Sequence, residues 1–386
     1  MHDGSAYFAG IYEHPTRRAE GKSLPELHAE VAIGALADAG LTKADVDGYF
    51  CAGDAPGLGP ISMAEYLGLN LRHLDSTETG GSSYLVHAIH AANAIAAGKC
   101  SVALVTLAGN HLASGAGVTL GLNMDAFPEM PFEEPFNPFP LNMYAMCARR
   151  HMHQYGTTSE QLAWIKVAAS HHAQHNPNAL LRKVVTVEDV VNSPLVADPL
   201  HRLDCCVLSD GGGAVVIVNA EIARSLKRPP VRLKGSGVGL RHMNGGRIDI
   251  TSTAGAVSGP AAFADAKVKP ADIKYASIYD SFTITVLMTL EDLGFCEKGQ
   301  GGRFVSDGNL ISGHGRLPFN TDGGGLCNNH PGNRGGMTKI IEAVRQLRGE
   351  AHPAVQVENC DLALAHGTGG SVATRHCSAT LIMERV

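Results

Sequence analysis

The sequence carries 19 histidines and nine cysteines, the side chains best suited to proton transfer and thiol chemistry near neutral pH. The cysteines stand singly apart from Cys205-Cys206 and form no C-x-x-C pair, so reduced thiols are expected and a zinc site is not. His171, His172 and His175 imitate metal-ligand spacing on a predicted helix. No carboxylate motif accompanies them, and a solvated or capping role is expected. His87 and His90 fall on another predicted helix, where packing accounts for them. His151 and His153 flank Arg149-Arg150, a basic pair able to meet phosphates or simply to line an exposed helix face. Other candidates adjoin glycine-rich stretches: Ser82 and Ser83 after Gly80-Gly81, Cys327 and His330 after Gly323 to Gly325, and His366 before Gly369-Gly370. Glycine lets the backbone turn tightly and approach a ligand closely.

A formal net charge of −6 and a pI near 6.3 argue against a nucleic-acid partner. No run of about 18 apolar residues predicts a membrane span. The start, Met1-His2-Asp3-Gly4, lacks the blocks of a signal peptide, so a cytoplasmic location is expected. Neither a G-x-G-x-x-G fingerprint after a strand nor a P-loop is present, which leaves nucleotide redox and ATP chemistry unsupported. A chain of 386 residues predicts two domains or two intertwined halves.

The elements that must position these residues alternate between helix and strand. Leu27, Val31, Leu36 and Ala39 keep a helical rhythm that Gly40 ends. Val46 to Cys51 reads as a strand, Ser83 to Ala97 as a buried helix, and Ser101 to Leu107 as a central strand apolar on both faces. Phe127 to Phe139 combines four prolines with four phenylalanines and reads as an excursion from the core, a lid or a dimer contact. Tyr144 to Tyr155 and Ser159 to His175 read as helices. Ser209 to Gly213 is predicted to turn into a strand over Ala214 to Val218. The second half repeats the plan: Ala271 to Ile278 leads into Tyr279-Asp280-Ser281-Phe282, and helices follow over Ile284 to Leu293 and Met337 to Arg348. Leu362 to Ala365 is then a strand, Gly367 to Gly370 a turn, and Cys377 to Met383 the last strand. The class is α/β, two pseudo-duplicated halves at 1–225 and 226–386, the first with an insertion at about 110–200.

At this point the chain resembles the thiolase superfamily, in the lipid-transfer-protein branch related to sterol carrier protein x. The resemblance rests on Y-D-S-F-T-I-T-V-L-M-T-L-E-D-L-G-F-C-E-K-G-Q-G-G-R-F-V from Tyr279, on N-T-D-G-G-G-L-C-N-N-H-P-G from Asn320, and on D-C-C-V-L-S-D-G-G-G-A-V-V and A-I-A-A-G-K-C-S-V-A-L-V. It implies the thiolase fold, five layers α/β/α/β/α from two similar halves with a loop-domain insertion, assembled as a homodimer.

The resemblance also assigns the candidate site. Thiolases carry a nucleophilic cysteine at the N-terminus of the buried first-half helix, where free N–H groups stabilise a thiolate or an oxyanion. Here that turn reads Glu78-Thr79-Gly80-Gly81-Ser82-Ser83-Tyr84, with Ser82, or by a one-residue shift Gly81, at the cysteine's position. The general-base histidine is matched by His330 in Asn329-His330-Pro331. Tyr279 stands where an asparagine is usual, and His366 where a second, proton-shuttling cysteine is usual. Expected oxyanion or substrate contacts are Gly81, Ser83, Asp280, Cys327, Asn329, Gly369 and Gly370.

The implied function is carbon–carbon bond chemistry on an acyl-CoA, foremost retro-aldol cleavage of a bulky or aromatic β-hydroxyacyl-CoA without an acyl-enzyme, as in steroid side-chain aldolases. Two alternatives stand beside it. One is a divergent thiolase or acyltransferase using Ser82 or Cys327. The other is a non-catalytic acyl-CoA-binding subunit. No metal and no tightly bound cofactor is expected, coenzyme A entering as part of the substrate. A small zinc-ribbon/OB-fold partner subunit is also implied.

Overall fold

The computed structural model describes residues 6–115, 128, 130–133, 139–244, 247–332 and 334–386. Among the described residues, nine strands form one mixed sheet: β1 (Ala6–Glu13), β2 (Gly48–Phe50), β3 (His73–Asp75), β4 (Val102–Gly109), β7 (Gly211–Asn219), β8 (Val231–Arg241), β9 (Tyr275–Ile278), β10 (Leu362–Gly370) and β11 (His376–Arg385). A separate hairpin pairs β5 (Leu195–Ala197) with β6 (Leu200–His201). The sheet order is β3-β2-β4-β7-β1-β8-β11-β10-β9.

That order contains the duplication. β2 runs parallel to β4, which lies antiparallel to β7, which lies antiparallel to β1. β9 runs parallel to β10, which lies antiparallel to β11, which lies antiparallel to β8. The halves meet where β1 pairs β8 over Tyr7↔Arg232 and Phe8↔Val231.

Successive strand residues point to opposite faces, and the core shows where each face goes. Ala103, Val105, Leu107, Val215 and Ile217 share one cluster with Ala363, Ala365, Leu381 and Met383 of the second half. Filling that cluster are the helices Ser83–Ala96 and Gly336–Arg348, which lie between the half-sheets. The alternate residues Val102, Leu104, Ala214 and Val216 pack outward on the helix Leu24–Ala39. Leu364, Ile382, Ala276 and Ile278 pack outward with Ala262 and Phe263 of the helix Gly255–Ala266. Five layers result, as the resemblance implies.

Two glycine stretches differ from expectation. Gly211–Gly213 and Gly367–Gly370 are strand, not turn. Glycine weakens a strand unless another backbone must come close, and here one does: a Cβ on Gly369 would lie 1.6 Å from the Thr79 carbonyl oxygen. Most of the segment 127–139 lies outside the described residues. The helices Pro140–Tyr155 and Ser159–Ala173 that follow it match the expected rhythm.

Candidate active site

The site forms where the N-terminal ends of the two inner helices face the residues just after β9. Tyr279 leaves β9 with its N–H donating to the His366 carbonyl at 2.9 Å. Its ring points into the inner layer, and the residue as a whole is only 5% exposed. The phenol oxygen lies 2.7 Å from Nε2 of His330, the rings crossing edge-on at 75° with centroids 5.3 Å apart. Burial pushes the Tyr279 phenol well above its ordinary range, and a backbone hydrogen bond from Gly335 opposes that rise.

Two glycines make room for the phenol. A Cβ on Gly81 would stand 2.4 Å from Cε2 and 2.5 Å from the oxygen of Tyr279. A Cβ on Gly335 would meet His330 at 2.9 Å and Tyr279 at 3.3 Å. Gly81, not Ser82, is therefore the turn residue aimed at the pair, and the tyrosine ring fills the space its side chain would take. Arg334 closes the arrangement. Its Nη1 meets both carboxylate oxygens of Glu78 at 2.8 Å, and Glu78 accepts the Gly53 and Gly80 N–H groups at 2.7 Å.

The loop carrying His330 is held from several sides. Asp280 accepts the Gly325 and Leu326 N–H groups at 2.8 and 3.1 Å and pairs with the Lys339 ammonium at 2.9 Å. Both partners of that pair are 1% exposed, and neighbouring carboxylates hold Lys339 above its usual range against the effect of burial. Lys166 donates to the Leu326 carbonyl at 2.6 Å. Arg17 donates to the Asn328 side chain at 2.7 Å, and the His330 N–H donates to Ser209 Oγ at 2.9 Å. Asn320 pairs both ways with the backbone of Ile278 at 2.8 Å, locking the loop to β9. On the other side of the imidazole, Sγ of Cys206 lies 3.3 Å from Nδ1.

Several predicted residues are placed elsewhere. The register Ile278↔His366 puts His366 on the outward face of β10, opposite Tyr279. There its Nδ1 meets Thr380 Oγ1 at 2.9 Å, and burial with help from nearby His376 pushes its pKa down to about 3. Ser82 is fully buried and donates to the Thr79 carbonyl at 2.8 Å. Beside it sits Cys377, whose thiol burial pushes up and contacts with Ser82 and Thr79 pull back. Cys327 packs in the outward core with the Lys166 ammonium beside it. Asp280 spends its carboxylate on the Gly325 and Leu326 N–H groups and on Lys339, holding the loop. Ser83 Oγ caps the turn by accepting the Thr79 N–H at 2.9 Å. Asn329 donates to Glu13 at 2.6 Å and leaves its buried Oδ1 without a partner among the described residues. Gly369 and Gly370 lie against Thr79 and Gly80, within reach of the turn's backbone.

The other histidines have structural roles. His172 accepts the Ser312 N–H at 2.9 Å, and His175 stacks on His352. His87 accepts the Thr77 N–H, His90 meets Asp75, and His151 sits between Thr157 and Glu291. No group of three metal-binding side chains gathers among the described residues. Missed from the sequence were Cys206, Gly335 and the Glu78–Arg334 pair. The doublet Cys205-Cys206 was visible, but nothing local ties it to His330.

The fold and this site define a thiolase-type enzyme. A family model described as Thiolase C-terminal domain-like matches residues 233–385. The steroid side-chain-cleaving aldolase of Thermomonospora curvata is 38% identical over 90% of this chain and 91% of its own length. An acetyl-CoA acetyltransferase of Methanothermobacter thermautotrophicus is 35% identical over 91% of this chain and 93% of its own. The solved Ltp2-ChsH2(DUF35) aldolase superposes with a TM-score of 0.88 at 35% identity, over 100% of this chain and 99% of that one. The chain belongs to the thiolase superfamily, in the sterol-carrier-protein-x-like branch that includes steroid side-chain-cleaving aldolases.

Proposed function

We propose that the protein cleaves a β-hydroxyacyl-CoA by a retro-aldol reaction, with Tyr279 and His330 moving the proton and no acyl-enzyme formed. The observation that carries this reading is the 2.7 Å contact between the Tyr279 oxygen and His330 Nε2, in the space a nucleophile beside Gly81 would need. A phenol whose pKa is raised by burial stays protonated at rest. It serves as a relay: Tyr279 takes the β-hydroxyl proton as its own proton passes to His330 Nε2. The C–C bond then breaks, its electron pair forming the thioester enolate and the hydroxyl carbon becoming a carbonyl. Returning the proton to the enolate gives the shortened acyl-CoA and restores both groups. Backbone N–H groups of the Gly80–Ser82 turn, at the start of a 14-residue helix, are suited to hold the enolate oxygen.

The aldolase relatives support cleavage, while the acetyltransferase relative keeps acyl transfer as the comparison case. Acyl transfer through Ser82 or Cys327 has no comparable base behind it, since Ser82 bonds to Thr79 and Cys327 lies in the core. Coenzyme A enters as part of the substrate, and the cleft lined by Arg149, Arg150 and His153, where Arg149 pairs with Asp198, supports a contact to its phosphates through Arg150. The partner named in the aldolase complex supports a small companion subunit here too. A homodimer is supported by β3, an edge strand whose Leu74 is exposed, as are Ile61 and Tyr66 of the preceding helix. Among the described residues no helix is long and apolar enough to cross a membrane.

The test is incubation with β-hydroxy-β-phenylpropionyl-CoA and with steroid-sized β-hydroxyacyl-CoAs, alone and with a small zinc-ribbon/OB-fold subunit. Release of the aldehyde or ketone with a shortened acyl-CoA, lost in His330→Ala, is expected. Thiolysis of a β-ketoacyl-CoA with label on a peptide, and no cleavage of any hydroxyacyl-CoA, would replace this reading.

A further inference from the structure

The contact on the far side of the His330 ring has no role in that reading. Nε2 faces the phenol, and Nδ1 faces Cys206 Sγ at 3.3 Å. The sulfur is held there by a built strip of chain. The Cys206 N–H donates to the Ser281 carbonyl at 2.9 Å, and the Val207 N–H donates to the Gly325 carbonyl at 2.8 Å. Two residues on, Ser209 Oγ accepts the His330 N–H. Residues 206–209 thus grip the Tyr279 loop, the glycine loop and both the backbone and the ring of His330.

A neutral imidazole carries one N–H, and the partner of one ring nitrogen decides what the other can do. Relay through Tyr279 needs Nε2 to be the acceptor, so the proton must sit on Nδ1. We propose that Cys206 is a positioning residue that fixes His330 as the Nδ1–H tautomer, its sulfur accepting that hydrogen. Burial pushes the Cys206 thiol up, so at neutral pH it is a neutral partner and adds no negative charge beside the relay. As His330 takes the proton from Tyr279, the same sulfur continues to accept Nδ1–H, and the ring need not turn. The inference rests on the reading of His330 as the proton acceptor.

The test is nitrogen NMR of the full-length protein labelled in histidine, with His330 assigned from His330→Gln, together with kinetics on β-hydroxy-β-phenylpropionyl-CoA or whichever β-hydroxyacyl-CoA the wild type cleaves. In the wild type, the His330 signals are expected to report a protonated Nδ1 and a bare Nε2. Cys206→Ala should shift them toward the other tautomer and lower kcat roughly tenfold with KM little changed, the scale of one weak hydrogen bond. Cys206→Ser, whose oxygen also accepts, should restore both. An Nε2–H tautomer in the wild type, or signals unmoved in Cys206→Ala, overturns the proposal. Because the tautomer is read without turnover, a protein that shows the expected signals but cleaves no hydroxyacyl-CoA refutes the proposed reaction and leaves this assignment standing.

Discussion

The starts of the two inner helices can be compared directly, because the duplication makes them equivalents. In the first half, the turn before Ser83–Ala96 presents no reactive side chain to Tyr279: Gly81 has none, and Ser82 is turned into the protein. In the second half, the loops before Gly336–Arg348 carry Tyr279 and His330 in contact and anchor them with a buried ion pair, two asparagines and a lysine. In the proposed reaction, the side chains that move the proton therefore come from one half. The first half supplies a backbone wall and the Cys206 sulfur behind His330, and the second supplies Tyr279 and His330 themselves.

The largest effect on the molecule is expected from breaking the second-half anchor. Asp280→Ala leaves the Lys339 ammonium buried without its partner and frees two loop N–H groups. Loss of one member of such a pair costs about 3–5 kcal/mol, so the melting midpoint should drop sharply and activity with it. A variant that melts like the wild type would show that the anchor is dispensable.

Restoring the first half sharpens the comparison. Gly81→Cys places its Cβ against the Tyr279 ring, and overpacking of this kind costs about 1–3 kcal/mol. The variant should lose cleavage and accept no acyl group. Adding Tyr279→Asn clears the space, and intact-mass analysis with a β-ketoacyl-CoA should then detect acylated Cys at that position. Acylation of the single variant at the same rate would mean that the phenol does not block the nucleophile's place.

A smaller effect is expected from His366, which lies behind the sheet. Its pKa falls from the ordinary histidine value of 6.5 in the unfolded chain to about 3 when folded, so the unfolded chain binds the extra proton between these values. Stability therefore declines as pH falls from about 6.5 toward 3, by about 2 kcal/mol at pH 5 for this one group. His366→Asn should flatten the acid limb of the melting curve by that amount while kcat at neutral pH stays within about threefold, the range expected away from the reacting atoms. A hundredfold loss of kcat with intact folding would return His366 to the site. Ser82→Ala should do least, changing kcat by less than about twofold, since its hydroxyl serves Thr79 alone among carbonyl acceptors.

How much of this was legible in the sequence follows the same division. Hydrophobic rhythm located the helices at Leu24–Ala39 and Ser159–Ala173 because their apolar faces repeat locally. Tyr279 and His330 were legible through the resemblance, which carries long-range pairing that spacing does not. His366 was misplaced because a strand shows alternation but not which face is inward, and only the register with Ile278 decides it. Gly367–Gly370 read as a turn because the close approach of Thr79, which makes glycine necessary there, comes from the other half of the chain. Cys206 was invisible as a partner for the same reason: its neighbour His330 lies on a loop of the second half.

The proposed cleavage depends on the Tyr279 oxygen relaying the substrate's proton to His330. Single-turnover cleavage of a β-hydroxyacyl-CoA by Tyr279→Phe tests it most directly, with the melting midpoint measured on the same sample. Removal of a positioned acid–base group predicts a fall of about 10²–10⁴ in the rate of C–C cleavage, with folding and acyl-CoA binding retained. A Tyr279→Phe protein that cleaves within about threefold of the wild type, a gap of less than 1 kcal/mol in the barrier, would contradict the claim.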